Sequence, residues 1–259
     1  MDVQRDTAGP PTANAGLTPR ICGRVDRIRL PARYLATRAV VSAAVRASVR
    51  LRVEGTPPLA PGPSIVCFNH LGWTDPFVLL AVLPWRPRVY VLGPSEADMT
   101  RGWRNRLISL TTVAIPVRPG REDMVAVARR VQELLADGAV IAVAGEGRIH
   151  RGEGALLPLR EGVAFFSLRC GVPIVPCAIN GTSRLGFGRR LRVRFGEPIH
   201  PEGRATQAAV HDLTERTWSA LHELCRGYPD PPPAGPIGRW LTEVFNDWPE
   251  NDGPDGRTG

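Results

Sequence analysis

The chain contains no lysine, so its 33 basic side chains other than histidine are all arginine. A Walker A phosphate loop is thereby excluded, because its lysine is required. Cysteine is sparse: Cys22, Cys67, Cys170, Cys177 and Cys225 are five in number, form no C-x-x-C pair and mostly have apolar neighbours. That pattern argues against a disulfide framework and for buried free thiols in a reducing compartment. No apolar run approaches the roughly 20 residues needed to span a bilayer. The polar first twenty residues, with Pro10-Pro11 and Asn14-Ala15-Gly16, do not read as a signal peptide. Any membrane role is therefore expected to be peripheral. There is no Gly-x-Ser-x-Gly elbow, so a serine nucleophile of the α/β-hydrolase kind is unsupported. Gly145-Glu146-Gly147 resembles the start of a dinucleotide fingerprint. The third glycine would fall at His150, and no apolar helical pattern follows. His211 and His222 share a helical face but lie three turns apart, roughly 16 Å, too far to hold one metal.

What is present fits a globular protein. Of 259 residues, 43% are hydrophobic and 22% charged, enough to bury a sizeable core. The formal net charge is +8. Guanidinium forks suit phosphate and anionic lipid. Charge alone does not separate nucleic acid, membrane surface and acidic substrate as the partner.

Residues 1–18 read as a disordered tail. Residues 19–53 form a basic segment. Pro31 opens a helix there, with Leu30, Tyr34, Val41, Val45 and Val49 at near-helical spacing and Arg38, Arg46 and Arg50 between them. This is a basic amphipathic helix that either lies on a membrane or packs on the domain with its basic face in water. Residues 54–226 alternate apolar runs with helical patterns. Strands are expected at Ser64–Phe68, Val89–Gly93, Val113–Val117, Ala139–Ala144, Ile174–Ile179 and Leu191–Phe195. Helices are expected at Pro76–Leu83, Arg101–Leu110, Glu122–Ala136, Glu161–Arg169 and Thr206–Cys225, with Gly138 and Gly171 as C-terminal caps. Continuous apolar strands separated by helices predict an α/β fold: a twisted, mostly parallel sheet flanked by helices. Residues 227–259 are a Pro-rich linker and a short amphipathic segment, Ile237–Trp248, whose apolar residues share one face.

The sharpest motif is Asn69-His70-Leu71-Gly72-Trp73-Thr74-Asp75-Pro76, after a strand and before a helix. Chemistry in α/β proteins sits on such loops. Residues five apart do not face each other on an unbroken helix, but a turn at Gly72 lets them meet. Asp75 then orients His70 through one ring nitrogen, and the other takes a proton from a hydroxyl. Asp75 before Pro76 also reads as a helix N-cap, and His70 as a structural histidine. Spacing alone leaves both readings open.

At this point the sequence resembles a family. Asn69-His70-x-x-x-x-Asp75 looks like the H-x-x-x-x-D motif of the glycerolipid acyltransferases, specifically the 1-acylglycerol-3-phosphate acyltransferase group. Ala114-Ile115-Pro116-Val117-Arg118 resembles the second block. Ile141-Ala142-Val143-Ala144-Gly145-Glu146-Gly147 resembles the third, Phe-Pro-Glu-Gly-Thr-Arg-Ser, and Leu157-Pro158-Leu159-Arg160-Glu161-Gly162 the stretch after it. Val172-Pro173-Ile174-Val175-Pro176-Cys177-Ala178-Ile179-Asn180-Gly181 resembles the fourth. The match runs from about Val53 to His200. It departs at Gly145, where proline is usual, and at Arg148-Ile149-His150, where Thr-Arg-Ser is usual. Arg118 is followed by Pro119, so either Arg118 or Arg121 stands in for the second block's arginine.

The resemblance implies an O-acyltransferase of phospholipid biosynthesis. It moves a fatty acyl group from an acyl thioester to a hydroxyl of 1-acyl-sn-glycerol-3-phosphate, giving phosphatidic acid. The implied general base is His70, oriented by Asp75, with Glu146, Gly147, Arg148, Arg118 and Arg121 positioning the acceptor and Gly181 shaping the acyl side. Arg151 is a further candidate for the head group. Acyl-coenzyme A or acyl carrier protein is the co-substrate. No bound cofactor or metal is expected, since a thioester is already activated. Expected partners are the lysolipid and an anionic membrane surface rather than nucleic acid, placing the protein in the cytoplasm, peripheral on the inner face of the cell membrane. The alternatives are another lysolipid or glycolipid acceptor, or an inactive lipid-binding protein of the same fold.

Overall fold

A computed structural model describes residues 30–55, 62–94, 113–117, 121–150, 152–232 and 235–246. Its described elements run α1 (Ala32–Ser48), β1 (Arg50–Glu54), β2 (Ser64–Phe68), α2 (Asp75–Val82), β3 (Val89–Pro94), β4 (Ala114–Val117), α3 (Arg121–Ala136), β5 (Val140–Ala144), α4 (Gly162–Cys170), β6 (Ile174–Asn180), β7 (Arg190–Phe195), α5 (Gln207–Cys225) and α6 (Pro236–Phe245). The seven strands form one sheet in the order β1-β7-β6-β2-β5-β3-β4. Each described ladder is parallel except β6 with β7. The chain is thus an α/β protein with a mostly parallel sheet, as its alternating pattern predicts.

The continuous apolar runs follow from cover on both faces. Along β2, Ile65 and Cys67 join a core with α3, α4 and α5. Val66 and Phe68 point to the opposite core, with Tyr34 of α1 and Val78 and Leu79 of α2. A strand buried on both sides has no polar alternation to show. The two expected glycine caps are present, and Thr206 caps a further helix. Gly171 adopts the left-handed conformation after α4, Gly138 has φ +83 after α3, and Thr206 accepts a hydrogen bond from the Ala209 amide at the start of α5.

The N-terminal helix packs on the domain, and one arginine of its basic face is turned inward rather than to water or lipid. Arg38 is only 1% exposed. Its Nε donates to Leu80 O at 3.1 Å, and its guanidinium also donates to Leu83 O and to the Tyr34 hydroxyl. Arg46 donates to Ala81 O at 2.9 Å. These are the orphan carbonyls at the C-terminal end of α2, where a cation is favoured. Both arginines therefore bond α2, Arg38 from within the core and Arg46 while staying exposed. Arg50 leaves the helix altogether and begins β1, an edge strand pairing in parallel with β7. The sequence reading missed this strand. The expected tail at 1–18 and the expected helix at Arg101–Leu110 lie outside the described residues.

Candidate active site

Phe68 pairs with Ala144 in the β2–β5 ladder. The strands are parallel, so the loops after them leave the same edge side by side. One carries His70 and Asp75, the other Glu146, Gly147 and Arg148. Backbone bonds lock them together: Gly145 N donates to Phe68 O at 2.9 Å, and His150 N to His70 O at 3.1 Å. Asn69 is buried and completes the junction. Its amide donates to Ile179 O at 2.9 Å and accepts from Ile179 N at 2.7 Å, extending the sheet towards β6 with a side chain.

His70 Nδ1 lies 2.9 Å from Asp75 Oδ2. The same oxygen accepts from Leu71 N at 2.8 Å and Gly72 N at 2.9 Å. The oxygen accepts from both amides and from the ring, so Nδ1 carries the hydrogen and Nε2 keeps the lone pair. The Asp75 side chain is fully buried and that of His70 is 15% exposed. The imidazole is thus held from within and open at its outer edge. The expected N-cap is displaced by one residue. Thr74 occupies the cap without a side-chain bond, and Asp75 is the first helical residue. Its carboxylate turns back onto the loop that precedes it, where the positive end of α2 also favours negative charge.

Glu146 is buried at 3% exposure. Its Oε2 accepts from His70 N at 2.7 Å, and its Oε1 accepts from Leu157 N at 2.7 Å and lies 2.8 Å from His150 Nε2. Both oxygens are thus engaged in bracing the two loops. Gly147 has φ +71, a left-handed conformation that suits glycine. A Cβ there would lie 3.2 Å from the Arg160 Cγ and Nε atoms, so the exposed Arg160 side chain crosses directly over it. Arg148 is exposed on the same turn. Gly145 has an equally physical reason to be glycine: an added Cβ would fall 2.7 Å from Cys67 Sγ and Leu159 Cδ2. Arg118 and Arg151 lie outside the described residues, and Arg121 opens α3 with only its backbone described.

The sequence reading did not find Glu153. It is completely buried and accepts from Gly181 N at 2.6 Å, Ser183 N at 3.1 Å and the Ser183 hydroxyl. Burial pushes its carboxyl above the usual range, against the opposing pull of these hydrogen bonds. It fixes the β6–β7 loop. Gly181, at φ +95, tolerates no side chain because a Cβ would meet Arg190 O at 2.4 Å.

That loop walls an apolar cavity of about 360 Å³. Val41 and Val45 of α1, Val49 just after it, Thr74, Phe77 and Val78 around the start of α2, and Gly181, Leu185, Phe187 and Leu191 line it, with Leu241 of α6. The size falls within the range of small-molecule sites. Thr74 places one end of the cavity next to Asp75.

Burial raises the thiols of Cys67 and Cys225 to about 12, so neither is a nucleophile at neutral pH. Among the described residues no cluster of three or more His, Cys, Asp or Glu is placed to hold a metal. No described helix is long and apolar enough to cross a membrane.

Comparison with known proteins bears on the fold and the family. The structure of the 1-acyl-sn-glycerophosphate (LPA) acyltransferase PlsC from Thermotoga maritima is similar, with a TM-score of 0.56 over 76% of this chain and 81% of that one. The sequences are 18% identical, so the likeness is one of fold. Residues 50–180 match the Acyltransferase family. That span is slightly more than half of the sequence and runs from β1 through the His70–Asp75 loop to the end of β6, and by it the chain belongs to the Acyltransferase family.

Proposed function

We propose that this chain transfers a fatty acyl group from an acyl thioester to a hydroxyl of a lysolipid, with 1-acyl-sn-glycerol-3-phosphate as the acceptor and phosphatidic acid as the product. The observation that carries the reading is the His70 Nδ1–Asp75 Oδ2 contact of 2.9 Å at the C-terminal edge of two parallel strands, with the His70 side chain 15% exposed. The acceptor hydroxyl gives its proton to Nε2 as its oxygen attacks the thioester carbonyl carbon. The tetrahedral intermediate collapses, the carbon–sulfur bond breaks, and the imidazolium returns the proton to the departing thiolate. Asp75 holds the tautomer and offsets the imidazolium charge throughout. The donor is acyl-coenzyme A or acyl carrier protein.

The cavity between α1, α2 and the β6–β7 loop supports an acyl-chain site, because it is apolar and Thr74, the neighbour of Asp75, lines it. Arg160 and Arg148 at the Gly147 turn support an anionic head-group site, to which Arg118 or Arg121 would add. Glu146 and His150 act as braces rather than contacts to lipid. Exposed Phe187, Ile237 and Trp240, at 76%, 69% and 59%, together with net charge +8, support docking on an anionic membrane at the inner face.

Thiol release from several acyl thioesters against a panel of lysolipids tests this. Acceptor-dependent release fastest with a phosphate monoester lysolipid is expected. Arg160→Ala or Arg148→Ala should then raise that acceptor's apparent KM by roughly 10-fold or more, the scale of a charge-assisted hydrogen bond, with donor saturation unchanged. Absence of acceptor-dependent release would sink the enzyme reading. Equal rates with neutral acceptors would move the acceptor to another lysolipid or a glycolipid.

A further inference from the structure

The C-terminal helix touches the catalytic loop through one buried side chain. Asn246 follows α6 and is 1% exposed. Its Oδ1 accepts from Trp73 N at 3.1 Å, in the middle of the His70–Asp75 loop. Its Nδ2 donates to Thr182 O at 3.0 Å and Ser183 O at 3.3 Å, on the loop fixed by Glu153. One amide therefore bridges the loop that carries the base to the loop that walls the apolar cavity. Gly72 is matched to it, since an added Cβ would fall 2.6 Å from Asn246 Oδ1.

The helix is tied down along its approach. Arg184 donates to Pro231 O at 3.0 Å, and Arg189 donates to Pro232 O at 2.9 Å. Leu185 N donates to the Thr242 hydroxyl at 2.9 Å. Leu241 reaches the cavity wall instead. Neighbouring turns of α6 thus serve different parts of the site, which lets their roles be separated by mutation.

We propose that Asn246 is a positioning residue for the acyl transfer. By bonding Trp73 N, it sets the path of residues 71–74 and hence the placement of His70 against Asp75. The inference rests on the acyltransferase reading above. A small misplacement of a catalytic base costs on the order of 10²-fold in rate, so Asn246→Ala in the full chain should lower kcat by about 10- to 100-fold. Apparent KM for the acyl donor should stay within about twofold. Leu241→Ala, on the cavity wall, should instead move donor KM or chain-length preference. Gly72→Ala pushes the amide away and should reproduce the loss. The Gly72→Ala/Asn246→Ala double variant should be little worse than either single one, because both break the same contact. Amide exchange at Leu71–Trp73, followed by mass spectrometry, should rise in Asn246→Ala. That readout needs no substrate.

Wild-type kcat and unchanged exchange in a folded Asn246→Ala protein would overturn the proposal. So would additive losses in the double variant, or a fall in kcat no greater than the fall in folded fraction. If the wild type shows no acceptor-dependent thiol release, the acyltransferase reading fails. The exchange measurement still decides whether Asn246 holds the loop.

Discussion

A histidine becomes a base only when something fixes its tautomer and its direction. Here one carboxylate oxygen does both while accepting two backbone amides. His70→Ala is expected to lower turnover by roughly 10²–10⁴-fold without unfolding the chain; near-normal thiol release from a folded variant would refute the base assignment. Asp75→Asn still offers an oxygen to Leu71 and Gly72 but loses the charge facing the imidazole. Activity should fall far more than melting temperature, and a proportional fall would mark a structural role. Glu153 gives a pH signature. Its carboxyl titrates above its usual 4.5 in the folded chain because of burial. Between 4.5 and the raised value the folded state holds more protons than the unfolded one. Its contribution to stability is therefore full below 4.5 and is lost as pH rises through the folded value. Denaturant midpoints measured across this window should decline with pH in the wild type, and Glu153→Gln should flatten that decline; an unchanged slope would exclude Glu153 as its source.

At the level of elements, α1 works through α2. Arg38 and Arg46 hold the C-terminal carbonyls of the helix whose first residue is Asp75. Removing the Arg38 guanidinium leaves Leu80 O and Leu83 O without that partner in a buried place, at about 1–3 kcal/mol for each group left unsatisfied. Arg38→Met should lower stability by roughly 2–4 kcal/mol. Arg38→Lys should recover only part, because an ammonium cannot span three acceptors in a plane. Urea unfolding measures both, and a neutral Arg38→Met would show the contact to be dispensable. This contact also marks a limit of sequence reading. Spacing places Arg38 on the helix but does not say what that face meets. The edge strand β1 escaped notice because its alternation of Leu51 and Val53 is brief, sits in an arginine-rich run directly after a helix, and pairs with residues about 140 positions away. The buried strands were legible almost to the residue, since being covered on both faces writes itself as an unbroken apolar run. The His70–Asp75 pair was legible because it is local. Glu153 and Asn246 were not, because nothing near them in sequence says what they bond.

On the scale of the whole molecule, the loops that carry the base and Gly147 leave the same edge of the sheet, and large apolar side chains stand exposed elsewhere on the surface. Phe187, Ile237 and Trp240 are poorly placed in water and well suited to a head-group boundary. The double variant Ile237→Ser/Trp240→Ser should reduce co-sedimentation with anionic vesicles several-fold while turnover of a micellar, short-chain substrate persists. Added salt should weaken what remains. Unchanged vesicle binding would move the membrane contact elsewhere on the molecule. The site also has a kinetic consequence. His70 meets Glu146 across 76 positions, Asn69 meets Ile179 across 110, and Trp73 meets Asn246 across 173. Contacts of such high order close late and at large entropic cost. During refolding, catalytic activity should therefore return after secondary structure has recovered, so that turnover reports the closing of the longest loops in the chain.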